Sequence, residues 1–161
     1  MELGLKGRGA LVTGGSQGIG RACAGLLAAE GVHVAIVARD EDRLQAVAEA
    51  LSSNSAGRVV PITGDMSKAA DVTRAVATAT DALGKIDILV NNAGSAPLGL
   101  IGDIDDDTWQ SCFDLKLMGY IRCARAVMGP MRERNWGRII NVIGNGGHFP
   151  KATYIAGGAI N

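Results

Sequence analysis

The sequence predicts an α/β fold built on a doubly wound parallel sheet. Short apolar runs alternate along the chain with longer stretches of helical period, which is the pattern of repeated strand–helix–strand units. Glycine accounts for 23 of the 161 residues without forming a low-complexity block, and several glycines stand where the backbone must turn sharply. A chain of this length buries one substantial core, so we expect a single domain over residues 1–161.

Five runs have the composition of strands, because they are short, apolar and rich in β-branched residues. They are residues 8–13, 32–38, 58–62, 86–90 and 137–143. Pro61 comes late in the third run, where the loss of its N–H does least damage to a sheet. Since a helical stretch separates each run from the next, we expect the strands to pair in parallel.

The helices are predicted from apolar spacing and from capping residues. Asp40 is the predicted N-cap of the helix after the second strand, and Ser67 caps the next helix, which ends at Gly84. A long helix is predicted from about Asp106 to Arg134, with an apolar face broader than packing on a sheet requires. The three apolar faces are Leu44, Val47, Ala48 and Leu51; Val72, Val76, Ala79 and Leu83; and Phe113, Leu117, Tyr120 and Ile121.

The carboxyl end of the predicted fold is incomplete. After the fifth strand the sequence provides only a loop and about one turn of a sixth helix, so one flank of the sheet lacks both cover and a further strand. We therefore expect either that residues continue past position 161 or that the sequence is a fragment.

The composition excludes several classes of partner. Sixteen basic residues balance sixteen acidic ones, so no net field favours nucleic acid or an anionic membrane surface, and a small-molecule ligand is expected. No apolar run reaches the ~18 residues of a membrane span, and the start resembles no secretion signal. The three cysteines have neither disulfide nor metal-ligand spacing, which favours a reducing cytoplasm. The acids at 105–107 fit a helix start, and no metal site is expected.

Two motifs stand at the predicted strand tips. The segment TGGSQGIG, residues 13–20, follows the first strand and opens a helix, which is the setting in which glycines and free N–H groups hold a pyrophosphate. The segment NNAG, residues 91–94, follows the fourth strand, so it belongs to the same carboxyl edge of the sheet. Because any strand-to-helix turn can use glycine, the first motif alone is weak evidence for a phosphate site. It becomes specific only together with the second motif.

Together these motifs resemble the short-chain dehydrogenase/reductase family, and the resemblance extends over all 161 residues, including GDM at 64–66 and PMRERNWGRIINV at 130–142. It implies a Rossmann sheet, one dinucleotide-binding domain that ends at the start of the active-site helix, and hydride transfer between a nicotinamide cofactor and a carbonyl or alcohol. It also implies a homodimer or homotetramer. By this likeness the cofactor would be lined by Gly14, Ser16, Gly18, Ile19 and Gly20 at the pyrophosphate, Asp65 and Met66 at the adenine, and Asn92, Ala93 and Gly94 at the ribose.

The choice of cofactor depends on the end of the second strand. An acidic side chain there would bind the ribose 2′-OH of NAD, whereas an arginine accommodates the 2′-phosphate of NADP. The acidic position falls on Ala38, and Arg39 follows it, which favours NADP and leaves NAD possible. The alternative is that Arg39 pairs with its acidic neighbours at 40–42 on the surface.

The resemblance breaks down at the active site, where the family uses Asn, Ser, Tyr and Lys. The Asn position on the long helix is Lys116. Without a gap, the remaining positions fall on Gly144, Gly157 and Asn161; with three residues deleted from the loop, Tyr154 takes the Tyr position and Gly158 the Lys position. Neither register restores the set.

We expect Tyr154 to act as acid and base, Lys116 to lower the pKa of its phenol, and Asn161 to hydrogen-bond the ribose. The Coulomb energy between an ammonium and a phenol does not depend on the side from which the ammonium approaches. A lysine at a different position in the sequence can therefore have the same effect on the phenol. The alternative from another class is a cofactor-binding protein, regulatory or structural, without dehydrogenase activity.

Overall fold

The computed structural model describes residues 3–53 and 55–161 and contains a five-stranded, all-parallel sheet. Its strands are β1 (Gly9–Thr13), β2 (His33–Ala38), β3 (Val59–Thr63), β4 (Ile88–Asn91) and β5 (Arg138–Asn141). The spatial order is β3-β2-β1-β4-β5, with the change of direction between β1 and β4. The predicted α/β class and parallel pairing are confirmed, and each predicted strand end lies within two residues of the observed one.

Six α-helices are present among the described residues: α1 (Gly18–Ala29), α2 (Glu41–Ser52), α3 (Ala69–Leu83), α4 (Asp106–Cys112), α5 (Gly119–Glu133) and α6 (Ile155–Ala159). The predicted long helix is wrong as a single regular element, because a π-helical segment, Phe113–Met118, separates α4 from α5. The chain stays helical across this segment, but its turns are wider, since π-helical hydrogen bonds join residues five apart.

The capping residues were predicted in part. The Asp40 carboxylate accepts a hydrogen bond from the Arg43 backbone N–H at 3.0 Å, and Gly84 ends α3 in the left-handed conformation with φ at 78°. The prediction for Ser67 is wrong, because α3 begins one residue later, after Lys68. The Ser67 hydroxyl instead donates to the Asp65 carboxylate at 2.8 Å, which fixes the loop before the helix.

The core lies on both faces of the sheet. Neighbouring residues of β1 point in opposite directions, so that Val12 packs with α1 and α2, while Leu11 packs with α3 and α5. Both residues are almost fully buried, as expected for a central strand covered by helices on two sides. This burial fixes the tips of β1 and β4, where the motifs stand.

The amino edge of the sheet is held by Asp87, which is 1% exposed. Its carboxylate accepts a hydrogen bond from Gly9 N–H at 3.1 Å and lies 3.8, 3.5 and 3.9 Å from the side-chain nitrogens of Arg8, Lys85 and Arg134. A buried carboxylate requires such partners. This cluster ties β1 to β4 at the edge opposite the motifs.

The open flank of the sheet is β5. All four of its residues are exposed, including Ile139 and Ile140, because β4 is its partner on one side only. Among the described residues no helix has both the length and the hydropathy to cross a membrane.

Candidate active site

A cleft of about 680 Å³ opens at the carboxyl ends of the strands, and most of the predicted site residues line it. The glycine-rich turn after β1 contributes Gly14, Ser16, Gly18 and Ile19, and the tip of β4 contributes Asn92, Ala93 and Gly94. Arg39, Asp65, Met66, Lys116 and Tyr154 complete the predicted set along its walls. Gly20 and Asn161 do not line the cleft, but each contacts residues that do.

The glycine-rich turn has the conformation that its glycines were expected to permit. Gly14 and Gly18 adopt left-handed backbone angles, with φ at 68° and 55°. Gly20 lies so close to the Gly14 carbonyl and the Asn92 amide that a Cβ would overlap both. The first turn of α1 has no side-chain cap, since Gln17 forms no capping hydrogen bond. Its N–H groups therefore remain available to an anion.

Asn92 joins the two motifs. Its side-chain amide donates to the carbonyls of Thr13 and Gly14 at 3.0 and 3.2 Å, and its backbone N–H donates to the Thr13 hydroxyl at 3.0 Å. Ala93 N–H donates to the same hydroxyl at 3.1 Å. Asn92 thus holds the glycine-rich turn in place, a role that the family resemblance did not suggest.

The far wall of the cleft is a loop after β3. The Asp65 N–H donates to the Asp71 carboxylate at 2.9 Å, and the Asp65 carboxylate accepts from Ser67. The Asp65 backbone N–H, together with the Arg74 guanidinium, holds the pKa of Asp71 below its usual value. Met66 is only 4% exposed and packs in the core. Little of its surface therefore faces the cleft.

At the end of β2 the structure shows one residue that sequence reasoning missed. Arg43 lines the cleft beside Arg39, and its guanidinium donates to the Gln17 side-chain oxygen at 2.9 Å. The surface pairing considered for Arg39 is absent from the described residues, because Asp40 pairs with Arg43 at 3.3 Å instead. Arg43 could have been found from the sequence, because an N-cap at Asp40 places residue 43 in the first turn of the helix.

The π-helical segment carries Lys116 into the cleft. The aliphatic part of this side chain packs against Gly94, where an added Cβ would lie 3.2 Å from the lysine Cδ. The ammonium donates a hydrogen bond to the Asn161 side-chain oxygen. Partial burial lowers the pKa of Lys116 below the ordinary value of 10.5, because a charged amine loses hydration there.

Asn161 connects three separate pieces of chain. Its side-chain oxygen accepts from Lys116 and also from Gly144 N–H at 2.6 Å, and its amide donates to the Gly157 carbonyl. In the register without a gap, positions 116, 144 and 161 are those of the family's Asn, Ser and Lys. The structure therefore brings these positions together, although the side chains differ from the family's.

Tyr154 precedes α6 and lies along the same cleft as Lys116. A Cβ built on Gly157 would overlap the Tyr154 ring, so the phenol fills the space beside that glycine. Across the parts of the chain that are described, the Tyr154 hydroxyl has no hydrogen-bond partner. Lys116, which we expect to act on this phenol, donates its hydrogen bond to Asn161. The strand-like pairing of Gly99 with Tyr154 holds the backbone in place.

Tyr120 is the other tyrosine near this end of the sheet, and it has a structural role. Its hydroxyl donates to the Val142 carbonyl at 2.9 Å, and burial raises its pKa to about 12. Within the described residues no group of three His, Cys, Asp or Glu side chains is arranged to hold a metal ion.

The same fold occurs in known proteins. A family profile described as short chain dehydrogenase matches residues 8–159. The short-chain reductase protein NovJ of Streptomyces niveus is 42% identical over 156 residues, which are 94% of this chain and 58% of the relative. The 3-oxoacyl-(acyl-carrier-protein) reductase FabG of Escherichia coli K12 is 35% identical over 157 residues, 96% of this chain and 63% of the relative.

Among solved structures, the L-sorbose reductase of Gluconobacter frateurii complexed with NADPH and L-sorbose superposes with a TM-score of 0.95 at 34% identity. That superposition covers 99% of this chain and 61% of the reductase. The chain thus spans about three fifths of the length of the relatives it matches.

Proposed function

The chain belongs to the short-chain dehydrogenase/reductase family, and from that premise we propose that it is an NADP-dependent oxidoreductase acting on a carbonyl or alcohol through a rearranged site. The similarity to a sorbose reductase whose structure contains NADPH supports the cofactor class. The observation that supports the catalytic part of this proposal is the position of Tyr154. Its ring fills the space beside Gly157, and the residue lines the same cleft as Lys116.

The residues present fit a dinucleotide. Left-handed glycines at 14 and 18 let the backbone approach a pyrophosphate, and the uncapped first turn of α1 offers N–H groups to it. The loop at Asp65 and the tip at Asn92 would hold the two ends of the nucleotide. When bound, the nicotinamide supplies or accepts the hydride.

The preference for NADP rests on charge at the end of β2. Ala38 leaves no carboxylate for a ribose 2′-OH, and the Arg39 guanidinium forms no ion pair with any residue in the described ranges. A planar guanidinium suits a phosphate. We therefore expect tighter binding of NADP than of NAD.

In the proposed reduction the Tyr154 hydroxyl gives its proton to the developing alkoxide of the substrate. A cation about 4 Å from a developing anion contributes up to ~4 kcal/mol at an effective dielectric constant near 20. An ammonium has three donors, and Asn161 takes one of those of Lys116. This hydrogen bond to a neutral amide leaves the charge of Lys116 intact, and in our proposal that charge favours release of the proton by the phenol, while Asn161 holds the lysine in the cleft.

A second candidate is a cofactor-binding relative without dehydrogenase activity, regulatory or structural. The hydrogen bond of Lys116 to Asn161 instead of Tyr154 favours it, as does glycine at position 144. The discriminating measurement is NADPH oxidation with a broad panel of ketones and aldehydes, run beside calorimetric titration of NADPH. Binding with turnover supports the oxidoreductase; binding without turnover of any panel member supports the second candidate.

Three further proposals concern the whole protein. Residues 1–161 form one dinucleotide-binding domain whose last helix, α6, starts the active-site helix. The exposed Leu117, Ile121 and Met128 support self-association as a homodimer or homotetramer, which sedimentation velocity would test. A cytoplasmic location is supported by the three cysteines, which are free thiols: Cys23, Cys112 and Cys123.

A further inference from the structure

We infer that Arg43 forms, together with Arg39, a two-guanidinium site for the 2′-phosphate of the cofactor, and that Gln17 positions Arg43 for this task. The inference rests on the proposed function, because it concerns the same cofactor. It adds a specificity-determining residue from α2 and a positioning residue from the glycine-rich turn, neither of which the sequence analysis assigned.

The first support is the place of the two arginines. Arg39 follows the end of β2, Arg43 lies in the first turn of α2, and both line the cleft beside the glycine-rich turn. Arg39 is free of ion pairs with the described residues. A phosphate presents three oxygens, so a second guanidinium can bind it in addition to the first.

The second support is the way Arg43 is held. Its Nη1 atom donates to Gln17 Oε1 at 2.9 Å, a contact between residues 26 apart in sequence. Gln17 is the residue before α1 and forms no capping hydrogen bond, so its side-chain oxygen is free to accept from Arg43. An exposed arginine normally samples many rotamers, and this bond directs the guanidinium toward the phosphate-binding turn.

The charge around Arg43 leaves an excess of positive charge for a phosphate. Asp40 lies 3.3 Å from Arg43 Nη2 and lines the cleft with it, whereas Glu41 and Asp42 do not line it. The two guanidinium groups thus outnumber the carboxylate of Asp40, and the Asp65 carboxylate, which also lines the cleft, accepts hydrogen bonds from Ser67. Since guanidinium has five N–H donors and Gln17 and Asp40 each occupy one nitrogen, Arg43 retains donors for a ligand.

The test compares two fragments of the cofactor, adenosine 2′,5′-bisphosphate and 5′-AMP, by calorimetric titration of the full chain. For Arg43→Ala we expect about tenfold weaker binding of the bisphosphate, the loss typical of one charge-assisted hydrogen-bonded contact. Binding of 5′-AMP should change less than about twofold, because it lacks the 2′-phosphate. Arg125→Ala is the matched control, since Arg125 is exposed on α5 and outside the cleft.

Gln17→Ala tests the positioning role. We expect about threefold weaker binding of the bisphosphate in the otherwise unchanged chain and no further loss in an Arg43→Ala background, because the two residues act through one guanidinium. Additive losses would overturn the role of Gln17. Circular dichroism melting of each variant establishes that the fold is retained.

The inference fails if Arg43→Ala weakens both fragments equally or neither of them. Arg39→Ala separates this failure from that of the proposed function. If Arg39→Ala weakens binding of the bisphosphate alone while Arg43→Ala changes nothing, the NADP preference is supported and the role of Arg43 is refuted. If the unsubstituted chain binds the bisphosphate no more tightly than 5′-AMP, the NADP preference and the role of Arg43 are both refuted.

Discussion

The aromatic ring of Tyr154 occupies the space into which a side chain at Gly157 would project. The two registers of the sequence resemblance, which place the family's tyrosine at 157 or at 154, thus lead to the same volume beside the cleft. One helical turn separates the two residues, and the side chain of the first covers the backbone of the second. A phenol is therefore present at this position despite the glycine.

Gly157→Ala tests that relationship. The added methyl group overlaps the ring, so Tyr154 must move away from the cleft. We expect turnover to fall at least about tenfold and the free energy of unfolding to fall by about 1–3 kcal/mol, the usual range for overpacking. Gly102→Ala is the control, because an added Cβ there meets nothing within 4 Å. Unchanged turnover in Gly157→Ala would contradict the placement of the phenol. Steady-state kinetics and urea unfolding are the measurements.

Tyr154→Phe removes the proposed acid and keeps the ring packing. We expect turnover to fall by about 10²–10⁴-fold, the range for loss of general acid catalysis, with NADPH affinity unchanged. Tyr120→Phe should behave differently. It removes the hydrogen bond to Val142 and lowers the free energy of unfolding by about 1 kcal/mol without comparable loss of turnover. A Tyr154→Phe variant as active as the parent would refute the assignment.

Lys116→Met removes the ammonium and keeps much of the aliphatic contact with Gly94. We expect turnover to fall by about 10²-fold or more while NADPH affinity stays within a few-fold. The pH profile adds a second readout. Burial lowers the pKa of Lys116, so in the parent the rate should decline as pH rises toward 10.5, since the amine loses its charge below that value.

In Lys116→Met this alkaline decline should disappear, because methionine carries no charge to lose. Lys6→Met, an exposed position near the start of the chain, should leave both rate and profile as they are. A decline that persists in Lys116→Met would show that another group is responsible.

Asp71 makes stability depend on acid pH. Its pKa is held below the usual 3.8 by the Asp65 N–H and by Arg74, so the folded state binds the proton less readily than the unfolded chain. The resulting stabilisation is complete above about pH 3.8 and is lost as pH falls through the folded-state pKa. Urea unfolding of Asp71→Asn should therefore approach that of the parent as pH is lowered. Asp81→Asn, on the exposed face of α3, should follow the parent throughout.

Asp87→Ala tests the amino edge of the sheet. It leaves Gly9 N–H without its buried partner and removes the charge that Arg8, Lys85 and Arg134 surround. We expect the free energy of unfolding to fall by about 1–3 kcal/mol, the cost of an unsatisfied buried donor. Cofactor affinity in the surviving folded fraction should be retained, because this edge is opposite the cleft. Asp81→Ala is the exposed control.

The sheet and the glycine-rich turn of the cleft were predictable because their signals are local. Apolar runs such as residues 8–13 and glycines such as Gly14 report backbone conformation directly. The break in the long helix was not, since apolar spacing near Phe113 looks the same whether the turn is regular or wide. Nor was the contact of Lys116 with Asn161, which joins residues 45 apart through the fold alone. Ser67 is not the cap because α3 begins after Lys68, and its hydroxyl donates to Asp65 in the preceding loop.

The wide turn at Phe113–Met118 also determines how the chain would respond to a change in its length. A π-helical turn contains about one residue more than an α-helical turn, and each residue of an α-helix corresponds to roughly 100° of rotation. Deleting one residue there would restore an ordinary helix and rotate α4 against α5 by that angle. Cys112 and Cys123, each buried against a different cluster, could not both stay inside. The extra residue therefore sets the phase between two packed surfaces, and its loss should be more harmful than any substitution within the turn.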